Sequence, residues 1–399
     1  MDMDAKSAAE AIHVCIITTG HPVDDVRVNN KIAHAFKSAG FKVSWVGPGH
    51  AFFDRENYNR DGIEFHLAPP IHSRMDRLIC RFHIKRMARS IRKVDVYYSP
   101  EPDSAVIAVD LAKRSGARSV VDIHEIYHGT NLDKWLGRRR MRPLRELVRR
   151  WIAKTCRRSD LVMGVSDAVL DPLLPDRSTR LVVRSCAPSW FADAATTVTR
   201  EPEGLPFRIM HGKGHLSYGT GKVLEALQLV RKHVASPRLL VMATGEPAED
   251  PTIQALVPLA EGLGILDALD FRPGVPFQEM PEVLRTCDVG LISYGRGLGT
   301  DILPNRLFEY LAQGLPVIAP VYAVEVARII EKEQCGLLVD FEDPAAIAEA
   351  ILRLEGDRNL CREMGRRGRE GFLARHNWEV EVEPLLQQIR RWYPTKGRA

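Results

Sequence analysis

Between Gly299 and Gly314 the chain reads Gly-Thr-Asp301-Ile302-Leu-Pro304-Asn305-Arg306-Leu-Phe-Glu309-Tyr-Leu-Ala-Gln-Gly314. Pro304 suits the first turn of a helix, Gly314 its C-terminal cap, and Pro316 opens a short apolar strand over Pro316–Ala319. A helix N-terminus carrying Arg306 one turn in and Glu309 after it can hold a diphosphate with its dipole and guanidinium. The carboxylate is then placed to accept protons from ribose hydroxyls. Upstream, Arg208-Ile-Met-His211-Gly212-Lys213-Gly214 reads as a strand running into a glycine-flanked lysine, with a helix over Gly219–Val230 behind it. Glycines let backbone N–H groups approach a phosphate, and Lys213 adds a point charge.

The first half carries a second set. Thr18-Thr19-Gly20-His21-Pro22 ends a first strand, followed by Asp24-Asp25-Val26-Arg27 and a helix reaching Gly40. A glycine at the carboxyl end of a first parallel strand lets the chain turn into a helix N-terminus, where open α/β sheets bind ligands. GxGxxG is absent and the two acids come too early to hold a ribose, which argues against a nicotinamide cofactor. Gly20 is therefore a ligand turn or a bare turn; Asp25 and Arg27 line the ligand edge, or are an N-terminal acid and a solvated base. Asp122-Ile-His124-Glu125 puts His124 at the carboxyl edge of another strand, with His128 in the loop beyond. Pro100-Glu101-Pro102-Asp103 can bring Glu101 or Asp103 to the same rim, though a helix cap by Asp103 ahead of Ala105–Arg114 is the preferred reading.

These residues need strand ends and helix starts to hold them. Short runs rich in Val and Ile alternate with amphipathic stretches, the pattern of βαβ units in a parallel sheet. Strands are expected near Ile12–Thr18, Lys42–Val46, Asp95–Ser99, Ser119–Ile123, Leu161–Val165 and Leu181–Arg184. The alternation restarts near Arg208–His211, Leu239–Thr244, Leu269–Arg272, Val289–Ser293, Pro316–Ala319 and Gly336–Asp340. Residues 194–206, short of large apolar side chains, read as a linker between two doubly wound domains, 1–193 and 207–375. The end, 376–399, is helix-like and is expected to pack back across the domains.

At 399 residues, with 45% hydrophobic and 27% charged content, the chain is a globular one, neither fibrous nor disordered. No apolar run approaches the roughly 18 residues of a spanning helix, and the first eleven residues lack the pattern of a secretory signal. A cytoplasmic chain is expected. Its seven cysteines are scattered, without a CxxC pair, and read as reduced core thiols. The net charge is only +5, but basic residues cluster in two runs, His72–Lys93 and Lys134–Arg158. In the first, Met75, Leu78, Ile79, Phe82 and Met87 alternate with six arginines and lysines at helical spacing. In Arg138–Arg158, Met141, Leu144, Leu147, Val148, Trp151 and Ile152 do the same. Such helices attract anionic headgroups, at about 1 kcal/mol per basic residue near the surface, or else are solvated faces. No stacking platform accompanies them, so nucleic acid is not an expected partner.

The run PNRLFEYLAQGLPVIAP resembles the nucleotide-sugar motif of family-four retaining glycosyltransferases of the GT-B fold. The resemblance extends through HPVDDVRVNNKIAHAFKSAGFKV, DVYYSPEPDSAVIAVDLAKRSGARSVVDIHEIY, SDLVMGVSDAVLDPL, CGLLVDFEDPAAIAEAI and HNWEVEVEPLL. It implies an α/β chain with two Rossmann-like domains facing a cleft, acceptor held mainly by the first and donor by the second, with no cofactor and no catalytic metal. The residues it implies at the reacting centre and diphosphate are His124, Lys213 and Arg306. Donor contacts fall to Gly20, Asp301, Ile302, Asn305 and Glu309, and acceptor contacts to Asp25 and Arg27. Two positions depart from the family pattern: Asp301 stands where a glutamate is usual, and Tyr218-Gly219 where Lys-Gly or Arg-Gly is usual. The implied activity is retaining transfer from a UDP- or GDP-sugar to a lipid-linked or growing glycan of the exopolysaccharide, capsule or lipopolysaccharide type. With the basic helices in the acceptor domain, the expected place is the inner, anionic face of the membrane. The alternatives are a soluble GT-B enzyme that makes a small glycoside or epimerises a sugar nucleotide, and a catalytically silent binding subunit.

Overall fold

The apolar runs become parallel strands in two separate sheets. The computed structural model describes residues 10–23, 25–49, 58–71, 74–125, 142–197, 206–296 and 303–396. The chain divides into two compact units, residues 1–185 with 381–399, and residues 186–380. The division falls ahead of the expected linker because Cys186, Ala187, Phe191 and Ala192 pack into the second core.

In the first unit eight strands run β1 (His13–Ile17), β2 (Lys42–Pro48), β3 (Tyr58–Arg60), β4 (Ile63–Ala68), β5 (Val96–Ser99), β6 (Arg118–Ile123), β7 (Leu161–Gly164) and β8 (Arg180–Val182). Their order is β3-β4-β2-β1-β5-β6-β7-β8. Every pair is parallel except β3 with β4. All five residues of β1 are buried, as in a sheet covered on both faces. The sequence reading missed β3 and β4. They form a hairpin across Asp61 and Gly62, both at positive φ (54° and 75°), and an Asp-Gly pair is a strong hairpin cue that was open to reading.

The helix Pro102–Ser115 shows how the layers are built. Pro102 occupies its first turn, Ala105, Ala108, Val109 and Ala112 form one buried stripe, and Gly116 ends it in the left-handed region. Asp103 lies within the first turn, and Glu101 holds the cap position, so the expected cap by Asp103 is corrected. The helix after β1 begins as a π-helical segment, Val26–Ala33, and continues as His34–Ser38. It buries two cations: Arg27, and Lys31, whose Nζ donates to the carbonyl and hydroxyl of Ser185 at 3.0 and 3.1 Å.

The second unit has six parallel strands, β9 (Arg208–Lys213), β10 (Arg238–Met242), β11 (Leu269–Arg272), β12 (Val289–Leu291), β13 (Val317–Pro320) and β14 (Gly336–Val339), in the order β11-β10-β9-β12-β13-β14. The helix Asn305–Ala312 precedes β13, with Pro304 just outside its first turn and Gly314 at φ 65° beyond its end. From Glu381 the last helix, Trp378–Trp392, belongs to the first unit, where Glu381 pairs with Arg184 at 2.9 Å and the Tyr393 hydroxyl donates to the Asp95 carbonyl at 2.6 Å. All seven cysteines are buried, and none is in a disulfide.

Candidate functional site

In an open parallel sheet ligands sit outside the carboxyl ends of the strands where strand order reverses. In the first sheet β1 is flanked by β2 on one side and β5 on the other, so the switch point is β1/β5. The residues leaving β1, β5 and β6 there are Thr18 to His21, Glu101, and Asp122 to His124. Glu101 is buried and accepts from the Thr18 hydroxyl at 3.0 Å, the Thr19 hydroxyl at 2.9 Å and the Thr19 backbone N–H. Its other oxygen lies 3.1 Å from His21 Nε2. The opposite ring nitrogen of His21, Nδ1, lies 2.9 Å from Asp25, whose second oxygen accepts from the Val28 N–H at 2.8 Å and caps the following helix.

Asp122 is wholly buried and accepts from Arg27 through Nε and Nη2, both at 3.0 Å, and from the Tyr98 hydroxyl at 2.6 Å. Burial, the largest single influence, disfavours its charge, but Arg27, His124 and the Tyr98 hydroxyl together outweigh it, and the carboxyl stays below its ordinary range. His124 has only 10% of its side chain exposed, with Nδ1 3.8 Å from Asp122 and its ring 5.2 Å from that of His21. Burial pushes it down to about 4; Asp122 pulls the other way, and the charges of Arg27 and His21 add to the depression. It is a neutral imidazole at physiological pH, able to donate at one nitrogen and accept at the other.

The expected residues of this half thus gather at one strand edge. Gly20 lies exposed in the turn, its N–H 3.3 Å from the Thr18 hydroxyl. Arg27 is 8% exposed and tied to Asp122, so the solvated-base reading is corrected. Asp25 is both helix cap and partner of His21. His128 lies outside the described residues. Sequence reading passed over His21, Tyr98 and Asp122. The four-residue spacing of His21 and Asp25 was a cue for the first, but the Arg27–Asp122 pair spans 95 positions and has no local mark.

The second switch point is β9/β12. Met210 stands opposite Leu240 and Gly212 opposite Val241, which leaves His211 as an extra residue, a β-bulge. Gly212, at φ 74°, completes the bend and turns exposed Lys213 out of the strand. Arg306 packs beneath this turn. Its Nη1 donates to the His211 carbonyl at 2.8 Å and its Nη2 to the Tyr294 hydroxyl at 3.0 Å, while a Cβ on Gly212 would come within 3.0 Å of Nη1. Burial opposes the guanidinium's charge, but Tyr310, Tyr294 and Glu309 outweigh it. His211 is fully buried, its Nε2 3.2 Å from the Ser293 hydroxyl, and burial with the neighbouring Arg306 pushes it down to about 3.

Asn305 is exposed at the first position of the helix Asn305–Ala312, and half-buried Glu309 follows one turn later. Gly219, at φ 81°, caps the helix Thr220–Val230. A side chain there would press on the Ser293 carbonyl at 3.0 Å, so the chain approaches the end of β12 closely. Tyr218 stacks edge-on against Tyr294, with centroids 5.3 Å apart. Asp301 and Ile302 lie outside the described residues. The whole arrangement offers a cationic, glycine-lined turn with a carboxylate one helical turn away, chemistry suited to a nucleoside diphosphate.

The basic helices are seen as Arg74–Ser90 and Arg142–Cys156, while Arg138–Arg140 fall outside the described residues. Cys80, Ile84 and Ala88 face the core, which leaves Ile79 and Phe82 53% and 72% exposed on the other side. Ile152, Ala153 and Cys156 do the same for the second helix, where Leu147 and Trp151 are exposed. Among the described residues no helix is long and apolar enough to cross a membrane.

Residues 26–183 match the family Glycosyltransferase Family 4, and residues 194–371 match Glycosyl transferases group 1. A GDP-mannose-dependent alpha-(1-6)-phosphatidylinositol monomannoside mannosyltransferase of Mycobacterium tuberculosis is 29% identical over 175 residues, 43% of this chain and 44% of that protein. The match thus spans less than half of that relative's length. Among solved structures, a sucrose-phosphate synthase from Thermosynechococcus elongatus superposes with a TM-score of 0.73 at 16% identity, over 97% of this chain and 100% of that one. A glycosyltransferase from Rickettsia africae does so with 0.71 at 15% identity, over 96% and 98%. These likenesses carry the fold.

Proposed function

The chain belongs to the GT-B glycosyltransferases of the family-four and group 1 type, and on that premise we propose that it moves a hexosyl-type group from a UDP- or GDP-sugar, with retention, onto a lipid-linked or growing glycan. The observation that carries this reading is Arg306, a half-buried cation anchored by the His211 carbonyl beneath the Gly212-Lys213-Gly214 turn, with Glu309 on the same helix. Lys213 and Arg306 take the diphosphate, whose charge grows as the glycosidic bond breaks. Fixed cations and backbone donors stabilise that charge with no reorganisation at the moment of reaction. Glu309 accepts from ribose hydroxyls, and Asn305 lies at the start of the same helix. Asp301 and Ile302 are assigned to the donor by the motif alone. In the first unit, neutral His124 hydrogen-bonds the donor sugar near the reacting carbon. Asp25 and Arg27 serve the acceptor side through the order they impose on the strand edge.

The acceptor reading rests on the first unit's surface. Ile79 with Phe82, and Leu147 with Trp151, present apolar side chains amid arginines and lysines, which suits insertion among anionic headgroups. The mycobacterial relative is named for a phosphatidylinositol mannoside acceptor; a lipid-borne acceptor on an anionic inner leaflet fits these helices.

The test is thermal stabilisation of the purified chain by UDP and GDP, then by sugar conjugates of whichever binds. A ligand at a hundredfold excess over its dissociation constant adds about 2.7 kcal/mol of apparent stability. A shift with one nucleotide, weakened in Glu309→Ala, is expected. Absence of a shift with either nucleotide refutes the donor assignment, and nucleotide binding without transfer to any acceptor marks a silent subunit.

A further inference from the structure

His21 meets a carboxylate at each ring nitrogen, Asp25 at Nδ1 (2.9 Å) and Glu101 at Nε2 (3.1 Å). A neutral imidazole has one N–H and one lone pair, so it satisfies one of these partners and turns a lone pair on the other. Only the imidazolium donates to both. Neither carboxylate is free to turn away. Glu101 is held by the Thr18 and Thr19 hydroxyls and the Thr19 N–H, and Asp25 by the Val28 N–H.

The ring beside it, His124, faces different neighbours. Asp122 is 3.8 Å away, but both its oxygens are already engaged by Arg27 and one of them also by Tyr98. His21, with its ring centroid at 5.2 Å, Glu125 and Asp25 also act on it. Two imidazolium ions at that spacing repel each other, and the doubly bracketed ring is the better place for the proton.

We propose that His21 is a positioning residue that carries the fixed positive charge of this strand edge, and that its charge keeps His124 neutral and available as a hydrogen-bond partner for substrate. The histidine pair then holds one proton between two sites with the assignment set by geometry: Asp25 and Glu101 select His21. Burial opposes the charge on His21, but the hydrogen bond to Asp25 and the nearby carboxylates outweigh it and raise the group above its ordinary range. The inference rests on the glycosyl-transfer reading only for what His124 does to substrate.

The experiment follows the imidazole carbon-13 and proton resonances of the full chain, labelled at histidine, through a pH titration without ligand. In the parent chain His21 should titrate above its ordinary midpoint and His124 well below. In His21→Asn the midpoint of His124 should rise by at least about half a pH unit, the Coulomb effect of one charge at that spacing even in a water-like dielectric. His21→Arg restores a fixed cation and should bring it back down. Asp25→Asn provides a variant that keeps the helix cap, since Asn caps as well as Asp; there the midpoint of His21 should fall while thermal stability is retained. A His124 midpoint unmoved in His21→Asn, or a His21 midpoint unmoved in Asp25→Asn, overturns the proposal. Because no substrate is used, this outcome is separate from failure of the donor reading, which would appear as absent nucleotide binding with both titrations as described. Where transfer is measurable, the acid limb of kcat/KM in His21→Asn should move upward with His124.

Discussion

Replacing Asp122 by Asn tests whether the first unit is held together at its strand edge by a buried charge pair. The carboxylate has no exposed surface, Arg27 meets it through two N–H groups at 3.0 Å, and the Tyr98 hydroxyl donates to it at 2.6 Å. An amide keeps the shape but turns its N–H2 toward one of these donors and leaves the guanidinium without a counter-charge in a place water does not reach. Breaking a buried pair by removing one partner costs about 3–5 kcal/mol. A unit of roughly 200 residues loses about 2–4 °C for each kcal/mol, so its unfolding midpoint should fall by on the order of 10 °C. The assay is thermal and urea unfolding of the full chain, read by circular dichroism. The control replaces the group by apolar residues of similar volume, Arg27→Met with Tyr98→Phe and Asp122→Leu. No charge or hydroxyl is then stranded, and stability should return to within about 2 kcal/mol of the parent. A loss below about 1 kcal/mol in Asp122→Asn, or a triple variant as weak as the single one, refutes the reasoning.

Gly212→Ala puts a Cβ at a left-handed backbone position and within 3.0 Å of Arg306 Nη1, so it should cost about 1–2 kcal/mol and weaken thermal protection by the bound nucleotide. Stability should also decline in acid. The folded pKa of Asp122 is depressed, so its contribution is present above its unfolded pKa and disappears as pH falls through the folded value. His211 is depressed too, to about 3, so the unfolded chain takes up its proton first and stability drops as pH falls from about 6.5 toward 3, by at most about 1.4 kcal/mol per pH unit. Urea midpoints across that range, compared with His211→Gln, should show a flatter dependence in the variant. Phe82→Ser with Ile79→Ser should reduce co-sedimentation with anionic vesicles while leaving unfolding midpoints unchanged, both side chains being more than half exposed; undiminished binding removes this helix from the membrane contact.

Local order was the readable part of the first sheet. The runs His13–Ile17 and Val96–Ser99 announce buried parallel strands because consecutive apolar residues are tolerated only where both faces are covered. Strand ends were readable with them, and so was the placement of His124 at a rim. In the hairpin Tyr58–Ala68 the first strand is three residues without an aliphatic side chain, whereas the second, Ile63–Ala68, alternates apolar with polar residues and, with Asp61-Gly62 at the turn, was legible.

In the second unit, the helix Asn305–Ala312 and the glycine turn after β9 follow from local residue types, since proline and glycine restrict or free the backbone wherever they stand. The roles of the charged residues, by contrast, depend on which distant segments the fold brings against them. Arg306 and Lys213 look equivalent in the sequence, yet one is anchored to the His211 carbonyl and the other stands exposed. Arg27 resembles a surface base until Asp122, far along the chain, is brought against it. His21 and His124 are the same side chain with opposite charge preferences, set by carboxylates that arrive from β5, from β6 and from the start of the next helix. Electrostatic energy depends on distance and dielectric in space, and neither is a property of neighbouring positions in a chain.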